Sequence, residues 1–190
     1  MRSMILAGLA CAVFGAAAAE VEGVKLADRA QAAGGSALVL NGAGLRKRAF
    51  FRVYVVGLYL PAATREADAA LALAGPKRVH IHMLRDVGAS QFSEALVDGM
   101  RDNNDEAAMK RFEPAIAQMN AVMAEMKEAK EGMTIVLDWI PGTGMQVQVN
   151  GRASGRPIAD EAFFRGLLRV WLGPNPVQDD LKRALLGQRD

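Results

Sequence analysis

The sequence contains almost no cysteine. The single cysteine among its 190 residues is Cys11. It lies within residues 1–19, which have the pattern of a secretory signal: a positive charge at Arg2, an apolar run too short for a membrane span, and small residues before Glu20. This pattern predicts export, to the periplasm if the organism is Gram-negative. It leaves residues 20–190 as one domain without thiols, which excludes disulfides.

Histidine is also scarce, and the common catalytic motifs are missing. The two histidines, His80 and His82, form an H-x-H pair with the spacing of two metal ligands. Because no thiol is present and only Asp86 stands nearby, we interpret the pair as the half-buried polar face of a strand and expect no metal. The chain has no Ser–His–Asp or Cys–His signature and no glycine loop that leads into a helix. We therefore expect no cofactor.

Strong net charge is absent as well. The formal charge of +2 gives no reason to expect nucleic acid or an anionic membrane surface as a partner. The only basic concentration is formed by Arg46, Lys47, Arg48 and Arg52. A short run of this kind is typical of a solvated hairpin tip.

What the sequence does contain is a long β-branched and aromatic stretch, residues 41–60. Its start, Asn41-Gly42 with Gly44 nearby, is a turn signal after a predicted strand at 36–40. Residues 50–60 are apolar on both alternating faces, which predicts a central strand covered on both sides.

The remaining pattern alternates blocks of strands and helices. A connector is expected at 27–35 and a kink or restart at Pro114. Further strands are predicted at 21–26, 77–84, 133–140 and 145–150, and helices at 64–74, from Ser90 to about 101, 105–132, 160–171 and 176–186. Strands joined by hairpins and grouped apart from the helices indicate an α+β fold with a mainly antiparallel sheet.

A methionine-rich stripe from Met109 to Met126 recurs at three or four residues on the third helix. Methionine fills irregular space, so this stripe could line an adaptable cavity. We favour the alternative that it belongs to the ordinary helix core.

Several segments together resemble the chalcone isomerase superfamily, and its secreted bacterial members more than the plant enzymes. The similar segments are Gly42-Ala43-Gly44-Leu45-Arg46, Val53 to Leu60, Gln91 to Glu94, Trp171-Leu172-Gly173 and Asp180 to Gly187. The resemblance covers residues 36–187. It implies an open-faced β-sandwich, with a large antiparallel sheet, a helical layer on one face and a ligand cleft between them.

The resemblance also implies where a site would lie. Plant isomerases hold their ligand with an arginine of the glycine motif, a threonine on the next strand, and further polar groups on two helices. Here the arginine is kept as Arg46, and Tyr54 stands at the threonine position. The positions of the helical polar groups carry Phe92, Ala95, Gly99 and Val170, with Trp171 next to the last. Because one lost preorganised donor costs about a hundredfold in rate, isomerase activity is not expected.

An arginine–tyrosine pair is what fatty-acid-binding members of the superfamily use to hold a carboxylate. A guanidinium offers a planar two-donor fork and a phenol adds a third donor. The substitutions to Phe92, Ala95 and Gly99 make the cleft more apolar, which favours an acyl chain.

Three hypotheses follow. The first is an exported, non-catalytic protein that binds a fatty acid or similar apolar carboxylate through Arg46 and Tyr54. The second is an isomerase or intramolecular lyase that acts on a small enone. The third is a structural or interaction protein of the cell envelope whose cleft is filled by its own side chains.

Overall fold

The computed structural model describes residues 19–188, so the predicted signal lies outside the described residues except for Ala19. The strands are β1 (Ala19–Val21), β2 (Val24–Leu26), β3 (Arg29–Gln31), β4 (Ala37–Arg48), β5 (Phe51–Leu60), β6 (Lys77–Met83), β7 (Val87–Gly88), β8 (Glu128–Ala129), β9 (Thr134–Ile140), β10 (Gly144–Val149) and β11 (Arg152–Ile158). The helices are α1 (Ala67–Ala72), α2 (Ala89–Arg101), α3 (Glu106–Ala124), α4 (Glu161–Leu172) and α5 (Asp179–Leu185).

A seven-stranded antiparallel sheet forms the frame, in the order β11-β10-β9-β6-β5-β4-β3. The predicted central strand is β5, which pairs with β4 on one side and β6 on the other. The α+β class with a large antiparallel sheet is thereby confirmed.

The helices cover one face of this sheet, where alternate residues of β5 point into the main core. Tyr54, Val56, Leu58 and Leu60 belong to this core together with the buried faces of α2, α3, α4 and α5. The sheet with one helical layer is the open-faced arrangement that the resemblance implies. Of the methionine stripe, Met119 and Met123 are fully buried in the same core.

The other face of β5 is covered only in part, by the N-terminal strands. Tyr59 packs with Ala32 and Leu38 in a smaller cluster. A side chain at Gly57 would lie 3.2 Å from Leu26 of β2. Residues 54–60 are therefore covered on both faces, by a full helical layer on one and a thin strand layer on the other. The first part of the predicted central strand differs, because Phe50, Phe51 and Arg52 are exposed.

The predicted turn at Asn41-Gly42 is wrong, because β4 runs without interruption from Ala37 to Arg48. Leu40 pairs with Tyr59 and Gly42 pairs with Leu58, so Asn41 is the extra residue of a β-bulge. Turns and bulges favour the same residue types, and the local sequence does not separate them.

Other differences have equally local causes. The predicted strand at 21–26 is a hairpin of β1 and β2, and the expected connector at 27–35 contains β3. Strand β11 was not predicted, since it is an exposed edge strand that carries Gly155 and Pro157. Helix α1 is shorter than predicted, and α3 continues through Pro114 without a break.

Candidate ligand-binding cleft

Arg46 and Tyr54 lie side by side on the face of the sheet that the helices cover. They are directly opposite each other in the register of β4 and β5, so their side chains share a face. Arg46 is partly exposed and Tyr54 is buried. The two residues that the sequence analysis singled out are therefore neighbours.

The Tyr54 hydroxyl is held by the indole of Trp171 on α4. The Trp171 Nε1–H donates a hydrogen bond to the Tyr54 hydroxyl oxygen at 3.0 Å, and both side chains are buried. Burial raises the pKa of Tyr54 above its ordinary value, while the Trp171 hydrogen bond and the Arg46 guanidinium oppose that rise. The phenol is thus neutral at neutral pH. Since a hydroxyl can donate while it accepts, its proton can be offered to a ligand oxygen.

Among residues 19–188, Arg46 has no carboxylate partner. None of the ion pairs formed within residues 19–188 involves it. Its Nη1 donates to the backbone oxygen of Lys47 and, at 3.4 Å, to the side-chain oxygen of Gln178. Neutral acceptors satisfy part of the guanidinium and leave its charge uncompensated, which is what an anionic ligand requires.

Gln178, the residue just before α5, is the member of this site that sequence reasoning missed. Its side-chain oxygen accepts from the backbone N–H of Lys47 at 2.8 Å, and its Nε2 donates to the backbone oxygen of Leu45 at 3.0 Å. These bonds fix the start of α5 to β4 beside Arg46. The only sequence signal was its position before Asp179 and Asp180 at the start of a helix.

The two glycines of the motif give α5 room to lie on β4. A Cβ at Gly44 would lie 2.7 Å from a methyl of Leu181, and one at Gly42 would overlap the backbone at Ala184. Gly42, Gly44 and Arg46 are spaced by two residues and share the face of β4 that α5 covers. The glycines thus bring the helix close, and Arg46 follows where the helix begins.

The far end of α5 is fixed by the bulge residue Asn41. Its Nδ2 donates to the backbone oxygen of Leu185 at 2.7 Å, and its Oδ1 accepts from the Thr64 N–H at 2.7 Å. With Gln178 at one end and Asn41 at the other, α5 is tethered to β4 along its length.

The other residues predicted to line the cleft lie on α2 and α4. Phe92 is buried, and its ring meets Tyr54 edge to face with the centroids 6.3 Å apart. Gly99 packs against Val170 of α4, because a Cβ there would lie 2.9 Å from a Val170 methyl. Ala95 is exposed on α2 and so lies outside the packed cleft.

The space between the sheet and the helices is nearly filled. An apolar cavity of about 10 Å³ lies in this space, which is room for about one water. Its lining is formed by Val56, Leu58, Val79, Leu168, Trp171, Leu172 and Leu185. Sites for small molecules have volumes of about 300–1,000 Å³, so the cleft is closed in this structure.

A wider surface groove of about 430 Å³ lies where α4 ends. It contains two cations, but both already bond to backbone oxygens. Lys182 donates to Gly173 at 2.8 Å and Arg169 donates to Asn103 at 3.2 Å. Asp68 also lines the groove and brings a negative charge close to these cations, so the groove is a poorer anion site than the surroundings of Arg46.

His80 and His82 lie on the opposite face of the sheet, level with Gly57 and Val55 of β5. Among residues 19–188, no third histidine or acidic side chain joins them in a group that could hold a metal ion. In the same stretch of chain, no helix is long and apolar enough to cross a membrane.

Comparison with known proteins places this geometry in a family. A search of curated proteins finds no match. A solved structure with a TM-score of 0.67 is a fatty-acid binding protein of Arabidopsis thaliana, which is 15% identical and matches over 86% of this chain and 92% of its own. At that identity the likeness shows the fold. Residues 18–187 match the family described as chalcone isomerase-like. The chain belongs to the chalcone isomerase-like family.

Proposed function

We propose that this protein binds, and does not convert, a fatty acid or a similar apolar carboxylate. The observation that carries the proposal is the uncompensated guanidinium of Arg46 beside the buried hydroxyl of Tyr54. Arg46 and Tyr54 bind the carboxylate through charge-assisted hydrogen bonds. The acyl chain extends along the apolar side chains that now enclose the small cavity beneath Trp171.

The closed cleft means that binding requires a movement. The acyl chain needs far more than the present cavity of about 10 Å³. Helix α5 is the element to move, because it is short and its side chain Leu185 lines the cavity. A single residue, Gln178, makes the hydrogen bonds that join the start of this helix to Leu45 and Lys47. We therefore expect α5 to swing away from β4 when the ligand binds.

Binding of palmitate to the delipidated chain from Glu20 onward tests the proposal by calorimetry. A hydrogen bond to a charged group contributes about 1.5–3 kcal/mol, so Arg46→Gln should weaken binding by about ten- to a hundredfold. Tyr54→Phe should weaken it less, because it removes a neutral donor. The matched control is Arg48→Gln, an exposed arginine two residues away. Equal affinities of wild type and Arg46→Gln would overturn the proposal.

A second measurement addresses the movement of α5. Gln178→Ala removes the bonds that fix the start of this helix, so palmitate should associate faster than with the wild type. Hydrogen exchange in 179–185 should rise in the same variant. Unchanged association kinetics would contradict an opening at α5.

The filled cleft supports a second candidate, a structural or interaction protein of the cell envelope. The supporting observation is the cavity volume itself, about 10 Å³. This candidate is favoured if the delipidated wild type binds neither palmitate nor other long-chain carboxylates, and if no lipid co-purifies with it.

The enzymatic alternative, an isomerase or intramolecular lyase, would have to act with Arg46 and Tyr54 as its electrophiles. Of the helical positions, Phe92 gives Tyr54 an apolar ring contact, and Gly99 and Val170 pack against each other. Turnover of a hydroxy-enone that Tyr54→Phe abolishes would support it. Rates equal to those in buffer would exclude it for that substrate.

Export remains part of the proposal and is supported by the sequence of residues 1–19 alone. Mass spectrometry of the protein expressed with its full N-terminus should find a chain that begins near Glu20. An intact N-terminus in a secretion-competent host would contradict it.

A further inference from the structure

The hairpin of β4 and β5 ends in an exposed segment, Lys47–Arg52, which we call the basic–aromatic tip. All of its residues are exposed. Phe50 is 98% exposed and Phe51 is 56% exposed, and they are the two exposed large hydrophobic side chains among residues 19–188. Exposed aromatic rings side by side at the end of a hairpin mark an interaction surface.

The backbone of the tip is rigidly held. Arg48 pairs with Phe51, so the strands are joined by a two-residue turn in which Ala49 has a φ of +52°. Directly behind the turn, Gln178 bonds to the backbone of Leu45 and Lys47. Phe50 is therefore held at the outermost point of a rigid hairpin. Its ring loses little conformational entropy when it enters the surface of a partner.

The tip is surrounded by positive charge. Lys47, Arg48 and Arg52 belong to it, and the Arg85 guanidinium lies 4.3 Å from the centre of the Phe51 ring. Glu22 pairs with Arg52 at 2.6 Å. No ion pair within residues 19–188 involves Lys47, Arg48 or Arg85. Asp180 is a second acidic group nearby, and its pKa is lowered by the Gln178 hydrogen bond and to a lesser extent by the Lys47 charge. Locally the surface is cationic although the net charge of the chain is only +2.

We propose that the basic–aromatic tip docks on the surface of an anionic lipid bilayer. Phe50 and Phe51 enter the headgroup region, and the surrounding cations contact the lipid phosphates. Apolar rings flanked by lysine and arginine fit such an interface. The rings are stabilised by leaving water, and the cations are stabilised by the negative charge of the lipids. A second copy of the chain is a worse partner, since two tips would bring like charges together over a small area.

The tip lies at the end of β4 and β5 where Arg46 and Tyr54 stand. Docking there brings the start of α5 and the candidate ligand site close to the bilayer. The docking itself rests on Phe50, Phe51 and their cations, and it does not depend on what the cleft binds.

Co-sedimentation with vesicles tests the docking. The chain from Glu20 onward is mixed with vesicles of phosphatidylglycerol and phosphatidylcholine, or of phosphatidylcholine alone. The wild type should bind the anionic vesicles, more weakly as salt rises. Each cation near an anionic surface contributes about fivefold, so Lys47→Ser with Arg48→Ser should weaken binding by about 25-fold. Phe50→Ser with Phe51→Ser should weaken it by about tenfold or more.

The matched control removes the same charge elsewhere. Lys110→Ser with Arg156→Ser replaces an exposed lysine of α3 and an exposed arginine of β11, four strands away from β5, and should leave vesicle binding unchanged. In a Phe50→Trp variant, emission should shift to shorter wavelength when anionic vesicles are added. Thermal unfolding checks that each variant is folded.

Three outcomes would overturn the docking: no sedimentation with anionic vesicles, equal binding to pure phosphatidylcholine, or tip variants that bind like the wild type. A wild-type dimer that Phe50→Ser turns into a monomer, without vesicle binding, would assign the tip to protein association instead. Loss of vesicle binding in tip variants that still bind palmitate would separate this inference from the proposed function.

Discussion

The indole N–H of Trp171 donates a hydrogen bond to the Tyr54 hydroxyl at 3.0 Å inside the core. This contact joins α4 to β5, and it fixes the phenol that faces Arg46. Burial raises the pKa of Tyr54, and this hydrogen bond partly offsets that rise. The chain thus keeps one satisfied polar pair in an apolar layer.

Removing one partner of this pair should destabilise the fold. Tyr54→Phe leaves the Trp171 N–H buried without an acceptor, which costs about 1–3 kcal/mol of unfolding free energy. Urea unfolding measures it. Because the double variant with Trp171→Phe removes both partners, its loss should be smaller than the sum of the single losses. Strict additivity would contradict an energetic role of the hydrogen bond.

The glycines of β4 provide a second prediction. Gly42→Ala places a methyl in the backbone of α5, 2.6 Å from the carbonyl oxygen of Leu185. Such overpacking should cost about 1–3 kcal/mol or more in unfolding free energy and raise hydrogen exchange in α5. Gly88→Ala is the control, since its Cβ would meet open space. Equal stability of the two variants would show that α5 moves away from the added methyl without a loss of unfolding free energy.

The far face of the sheet contains a buried ion pair. Arg78 donates to both oxygens of Asp138, at 2.6 and 2.7 Å, and Asp138 is fully buried. Gln148 and the Ala33 N–H also bond to it, so the carboxylate fixes the segment that follows β3.

Arg78→Met should leave that carboxylate uncompensated and cost about 3–5 kcal/mol, measured by urea unfolding. Removing both charges, with Asp138→Leu added, should cost less than Arg78→Met alone. A larger loss in the double variant would show that the pair itself supplies net stability.

The lowered pKa of His80 predicts how the unfolding free energy depends on pH. Burial, the Arg78 guanidinium and His82 lower its pKa below the ordinary 6.5, against the opposing effect of Asp138. The unfolded chain therefore binds the proton more readily, so stability that is present above about pH 6.5 is lost as pH falls toward the folded value. His80→Gln should flatten this loss between pH 7 and 5 in urea unfolding. An NMR titration of His80 at or above 6.5 would contradict it.

Short-range patterns in the sequence were enough to predict several features of the fold. Alternation identified β5 as a central strand, and the caps Asp105 and Asp160 each accept a backbone N–H as expected for a helix start. The residues that carry the family resemblance singled out Arg46 and Tyr54, which the structure places opposite each other on β4 and β5. These predictions depend on neighbours within a few positions along the chain.

Other features depend on contacts between segments that are far apart in the sequence, and local patterns do not predict them. Asn41 and Gly42 form a bulge and a helix contact because α5, some 140 residues later, lies against them. Gln178 joined the site for the same reason, and the polar edge strand β11 is recognisable only by its pairing with β10. The closure of the cleft to about 10 Å³ depends on how side chains from distant segments fill one space. No local pattern records that packing.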